Sequence, residues 1–153
     1  MASLLHAHAI ALSWCYDAIP NSMMMYRRAI CELIGAIAAD LAQLDQPPVT
    51  HWPTCPDTPA PHPLGIVYVV AGSRLGGRML VRQVEASPDK AVAAATDYFT
   101  CNTGDELWRN VLLELRNWHG NDRESDRIIT GARETFEWFA IAQTETEKGR
   151  VAA

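Results

Sequence analysis

Residues 47–63, PPVTHWPTCPDTPAPHP, hold seven of the chain's nine prolines, and no other feature limits the fold as much. Proline fixes φ and lacks a backbone donor, so this stretch is predicted to be neither helix nor central strand. It reads as an extended connector inside one domain spanning residues 1–153, because neither flank alone could bury a good core. Of the 153 residues, 48% are hydrophobic and 20% charged, a balance that suits a single sizeable core and argues against disorder. Thirteen basic against eighteen acidic residues leave a formal charge of −5. A nucleic-acid binder normally carries a basic excess for its phosphate footprint, so that class is set aside.

No apolar run approaches the roughly 20 residues needed to cross a bilayer. The start, Met1 to Trp14, lacks a basic n-region and carries His6 and His8, so a signal peptide is a poor reading. Cys15, Cys31, Cys55 and Cys101 form no C-x-x-C pair, which predicts buried thiols of a cytoplasmic protein rather than a zinc site.

Both flanks of the connector carry helical signals. Leu4 to Ala18 is apolar nearly all round and is predicted to be a buried helix, ended by Pro20-Asn21-Ser22. From about Ser22 to Leu44, the residues Met25, Ile30, Leu33, Ile34, Ile37, Leu41 and Leu44 recur at helical steps, giving an amphipathic helix. Leu64 to Val84 is another helical candidate, although GIVYVV within it could pass for a strand. Ser87 as N-cap with Pro88 behind it starts a helix predicted to run to about Thr100. Asp105 to His119 turns Leu107, Trp108, Val111, Leu112 and Leu115 inward and stops at Gly120-Asn121. The last helix runs from about Arg123 to Lys148 with Ile128, Ile129, Ala132, Phe136, Phe139 and Ala140 as its stripe. Six helices and no clear strand predict an all-α fold.

The informative segment is GIVYVVAGSRLGGRMLVRQV, residues 65–84. Gly72 and Gly76 are four apart and share a helix face, with Gly77 beside them. Each glycine costs about 1 kcal/mol against alanine inside a helix, so something should require bare backbone there. Either a neighbouring helix approaches closely, or a flat ligand lies against the backbone, with the glycines also permitting a bend. Arg74, Arg78 and Arg82 follow at i, i+4, i+8, roughly opposite Gly72 and Gly76, and read as a solvated face.

The string YVVAGSRLGGRML resembles the distal helix of bacterial biliverdin-producing heme oxygenases, where Y-V-x-x-G-S-x-L-G-G/A recurs. The downstream order is similar as well: a short helix ending Tyr98-Phe99, a Gly104-x-x-x-Trp108-Arg109 segment, then GARETFEWF at residues 131–139. The likeness covers roughly residues 64–140. It implies an all-α heme oxygenase-like helical bundle, with heme held between a proximal helix bearing the iron-ligating His and a kinked glycine-rich distal helix. Carried over by position, Gly72 and Gly76 would face the heme with Gly77 alongside, and Ser73 would sit near the distal water network. Tyr68 would lie by a propionate and Phe136 would line the pocket from the last helix. Glycine backbone can approach a porphyrin plane, and a crowded pocket steers iron-bound oxygen toward one meso carbon. The implied reaction is oxidative cleavage of heme to biliverdin, iron and carbon monoxide. It needs external electrons, so the arginine stripe would then serve as a docking patch for an acidic donor such as a ferredoxin.

Two alignments of the N-terminus follow from the resemblance. In one, His8 is the proximal iron ligand, with Tyr26-Arg27-Arg28 matching a family Y-R-R-F, while Leu4 and Leu12 replace the family's Thr and acidic residue. In the other, LLHAHAIALSWCYDAI resembles the family's second helix, and Arg27-Arg28 to Leu44 matches the block after it. The proximal helix is then missing. That alignment implies a noncatalytic tetrapyrrole-binding or interaction module, expected to form a homodimer that covers the face left bare. A third reading, another helical enzyme of thiaminase-like or quinone-cofactor-synthesis type, finds no Cys/Glu or multi-His constellation to support it. Phosphate loops, H-E-x-x-H, G-x-S-x-G and paired E-x-x-H motifs are lacking. Glu114, Glu124, Glu134 and Glu137 read as solvated helix residues, and Met23-Met24-Met25 as core filling.

Overall fold

The computed structural model describes residues 1–49, 53–57 and 59–149. Among these, every regular element is helical: α1 (Ala2–Ala18), a 3-10 turn (Asn21–Met23), α2 (Met24–Gln43), α3 (Pro63–Glu85), α4 (Lys90–Ala94), α5 (Asp97–Thr100), α6 (Thr103–Arg116) and α7 (Asp122–Glu147). The all-α expectation holds, and GIVYVV lies inside α3 rather than in a strand.

α1 is buried over much of its length. Leu5, Ile10, Leu12, Trp14 and Cys15 are buried on it, and it packs against both α2 and α7. Its last carbonyls, which have no partner within the helix, are taken up by Arg27 of α2, whose guanidinium donates to the carbonyl oxygens of Tyr16 and Ile19 at 3.0 and 2.6 Å. The proline connector is tied to this helix. The Trp14 indole donates to the Pro53 carbonyl at 2.8 Å, and His6 Nε2 lies 3.1 Å from the Pro47 carbonyl oxygen. His51, which falls in the connector, lies outside the described residues. The connector ends where His62 caps α3: its Nδ1 accepts from Leu64 N–H, and Pro63 fills the first helical position, where a missing N–H costs nothing.

The helix predicted from Ser87 to Thr100 is two short helices. Asp89, not Ser87, is the N-cap, accepting from the amides of Ala91 and Val92, and α4 ends at Ala94. The break has a cause 57 residues away in sequence. Asp40, buried on α2, accepts from the amides of Asp97 at 2.8 Å and Tyr98 at 2.9 Å. Those two donors would have bonded to carbonyls four residues back in a continuous helix. Burial pushes the Asp40 carboxyl above its usual range despite these two bonds. Asn121, expected to stop α6, instead opens α7 through a capping box with Glu124.

α3 lies between α6 and α7. It meets α7 at two glycines. A Cβ on Gly65 would fall 2.5 Å from Ala132 N and 2.6 Å from the Ile128 carbonyl oxygen, and one on Gly131 would fall 2.5 Å from His62 N. Close helix approach therefore occurs at Gly65 and Gly131, not at the Gly72-Gly76-Gly77 cluster. The stripe α7 buries is Ile128, Gly131, Thr135, Trp138 and Ala142. Ile129, Phe136 and Ala140, expected inside, are exposed. The two arms of α3, Pro63–Gly77 and Met79–Glu85, are bent by 46°, directly after the glycine pair that makes such a bend cheap. Among the described residues no single helix is long and apolar enough to cross a membrane; the two arms of α3 reach that length only together, across the bend.

Candidate functional site

The two sides of α3 carry different chemistry. The inward side holds Arg74, which is 5% exposed. Its guanidinium lies over the Tyr98 ring, 4.1 Å from the centroid, and donates to the Tyr98 carbonyl at 2.6 Å. Gly77 makes this possible, since a Cβ there would stand 3.0 Å from the Arg74 terminal nitrogen. The Tyr98 hydroxyl shares a 2.8 Å hydrogen bond with His8 Nδ1, and the His8 ring sits edge-on to Phe139, 5.2 Å between centroids. Burial, and secondarily the Arg74 charge, pull the His8 pKa down from 6.5 to about 4. The imidazole is therefore neutral at pH 7, as a site beside an immobile cation demands.

The outward side is open. Tyr68, Gly72, Leu75, Gly76 and Met79 recur at three- and four-residue steps along it. Tyr68, Leu75 and Met79 are exposed, Met79 by 76%. A Cβ at Gly76 would have nothing within 4 Å, and one at Gly72 would meet only the Trp108 ring, at 3.5 Å. Trp108 of α6 borders this face, with its ring 5.5 Å from that of Tyr68. On the adjoining α7, Phe136 and Ile129 are 61% and 52% exposed. Bare backbone at Gly76 with the Tyr68 and Trp108 rings and the exposed Leu75 and Met79 side chains makes this an open, largely apolar face.

The expected site residues divide between these sides. Tyr68, Gly72 and Gly76 share the outward face, and Phe136 stands exposed on the neighbouring helix. Ser73 is exposed but turns its hydroxyl onto the Val70 carbonyl of its own helix at 2.7 Å. Gly77 does not belong to the open face, because its vacancy is filled by Arg74. His8 does not either: it sits on the Arg74 side, and Arg74 is two residues, or roughly 200°, around the helix from both Gly72 and Gly76. The arginine stripe is likewise no continuous solvated face. Arg74 is buried and Arg82 exposed, while the side chain of Arg78 lies outside the description. No role was foreseen for Asp40 or Tyr98. A lone acid between Ile37 and Leu41 on an otherwise apolar face was the signal for the first; the second entered only as the end of a short helix in the family likeness.

Comparison with protein-family models, curated proteins and solved structures gives no match to this chain.

Proposed function

We propose that the chain is a heme oxygenase-like domain that holds a flat tetrapyrrole on the outward face of α3 without cleaving it. The observation that carries this is the uncovered backbone at Gly76, set in a bed made by Tyr68, Gly72 and Trp108. A porphyrin plane fits such a surface, because it gains dispersion contact and removes exposed aromatic area from water. The iron is not served in the same way. Heme iron is primed for oxygen by an axial imidazole, and His8, the ligand on one alignment, is engaged by Tyr98 on the opposite side of α3. No oxygen-activating step is therefore assigned to this chain, and no role falls to a ferredoxin-type donor. The expectation of buried thiols holds for Cys15 alone, since Cys31 is exposed and Cys55 and Cys101 are half-buried.

Heme titration followed at the Soret band tests the reading. A saturable 1:1 shift is expected that His8→Ala leaves in place and Gly76→Leu removes, with both variants folded by circular dichroism. Loss of the shift in His8→Ala would return the cleavage reaction to first place. A second reading rests on the exposed Leu75 and Met79 beside Gly76: with no ligand present, two copies pair across this face. Sedimentation at micromolar concentration should then give a dimer that Met79→Lys splits, whereas a wild-type monomer ends that reading.

A further inference from the structure

We infer that the groove between α2 and α6 is a docking site for a basic amphipathic helix of a partner protein. The groove has a volume of about 600 Å³ and is floored by Met24, Met25, Ala29 and Leu107. A second depression of about 330 Å³, reaching Glu114, shares Met24 and Met25 with it. These methionines were expected to fill the core. They are instead 59% and 51% exposed, side by side at the start of α2. Met25 is steadied by the Asn110 amide, which lies 3.5 Å from its sulfur. Flexible thioethers on a surface groove adapt to an incoming apolar side chain, which is how helix-in-groove recognition commonly works.

Length and charge specify the occupant. From Thr103 to Glu114 the α6 wall runs about 16 Å, or three helical turns. Glu106, Asn110 and Glu114 follow one another at i, i+4, i+8 along that wall, which sets the two carboxylates about 12 Å apart. Arg28 is matched within the groove by Glu32 at 3.1 Å, and Glu32 also accepts from the Thr103 hydroxyl at 2.6 Å. Glu106 has no ion-pair partner among the described residues. Among the same residues Glu114 accepts only from the neutral Tyr26 hydroxyl, at 2.5 Å. Two carboxylates two turns apart, above an apolar floor, fit a helix of about three turns with apolar anchors at i, i+3/i+4, i+7 and basic residues two turns apart beside them.

The five methionines, at positions 1, 23, 24, 25 and 79, allow the surface to be identified directly. Protein labelled with ¹³C at the methionine methyls is titrated with a 14-residue Leu/Lys peptide of this pattern. The controls are a Leu/Glu peptide of the same pattern and a scrambled Leu/Lys peptide. The expected result is a saturable shift of the Met24 and Met25 methyls with the first peptide alone. Glu106→Lys should weaken it about tenfold, and Glu137→Lys, an equal charge change on α7, should weaken it far less. Four results would overturn the inference: a shift at Met79 instead, an equal response to either control peptide, equal weakening by the two Lys variants, or no saturable shift. Shifts of Met24 and Met25 on dilution of the protein alone would overturn it too, by making a second copy the occupant.

Discussion

On the inward side of α3, Gly77 exists to admit the Arg74 guanidinium, which stacks on Tyr98 and bonds to its carbonyl. On the outward side, a Cβ on its neighbour Gly76 would meet nothing within 4 Å. The two residues are adjacent in one motif and equally costly to a helix, yet internal packing accounts for only one of them. The contrast extends to their surroundings. The inward side is a buried polar network joining α1, α2, α3 and α5, whereas the outward side offers mainly apolar side chains and bare backbone. A surface of the second kind gains free energy only by being covered.

The largest effect is expected where the outward stripe is already closed. Gly65→Ala drives a Cβ into the α7 backbone and should cost about 3 kcal/mol of stability in chemical denaturation. A cost near zero would mean that the crossing with α7 is loose and that the stripe is open along its whole length.

Acidification probes the inward side. Because the folded-state pKa of His8 is depressed to about 4, the unfolded chain binds the proton first as pH falls from 6.5 toward 4. His8 should therefore remove on the order of 2 to 3 kcal/mol of stability across that window. Asp40, whose folded pKa is raised, works in the opposite sense: its stabilisation is complete at low pH and lost as pH rises through its folded value. The difference between wild type and His8→Asn isolates the histidine contribution, and parallel stability curves for the two would show that its imidazole is not shielded from solvent.

The smallest and sharpest test sets the paired glycines against each other. Gly77→Ala should lose about 1 to 2 kcal/mol by pushing Arg74 off Tyr98, while Gly76→Ala should gain about 0.5 to 1 kcal/mol from helix propensity alone. Equal changes in thermal midpoint would erase the distinction between the two sides.

Much of this is legible in the sequence. Proline marked the connector and the start of α3, and the long apolar periodicities located α1, α2, α6 and α7 to within a few residues. Failures arose where a distant partner overrode a local pattern. The gap between α4 and α5 depends on Asp40, on a different helix, and no window around Ala95 contains it. The α7 stripe was rotated because two of its buried members, Gly131 and Thr135, are not hydrophobic by type; the Thr135 hydroxyl is accommodated by the Gly131 carbonyl at 2.7 Å. Arg74 defied its charge for a similar reason, since the Tyr98 ring and carbonyl that hold it lie 24 residues on. For the site, spacing placed Gly72 and Gly76 on one face, the resemblance added Tyr68, and that face is open. It could not say that Gly77 and His8 serve the opposite one.

The carboxylate of Asp40 also leaves a kinetic signature. The amides of Asp97 and Tyr98 are bonded to a side chain of α2 rather than to a carbonyl of their own helix, and α5, at four residues, is too short to persist alone. Their hydrogen exchange therefore clocks the detachment of α5 from α2 instead of the unwinding of a helix. Two backbone protons, read by solution exchange, report how often the junction of α2, α3 and α5 comes apart while the long helices stay folded.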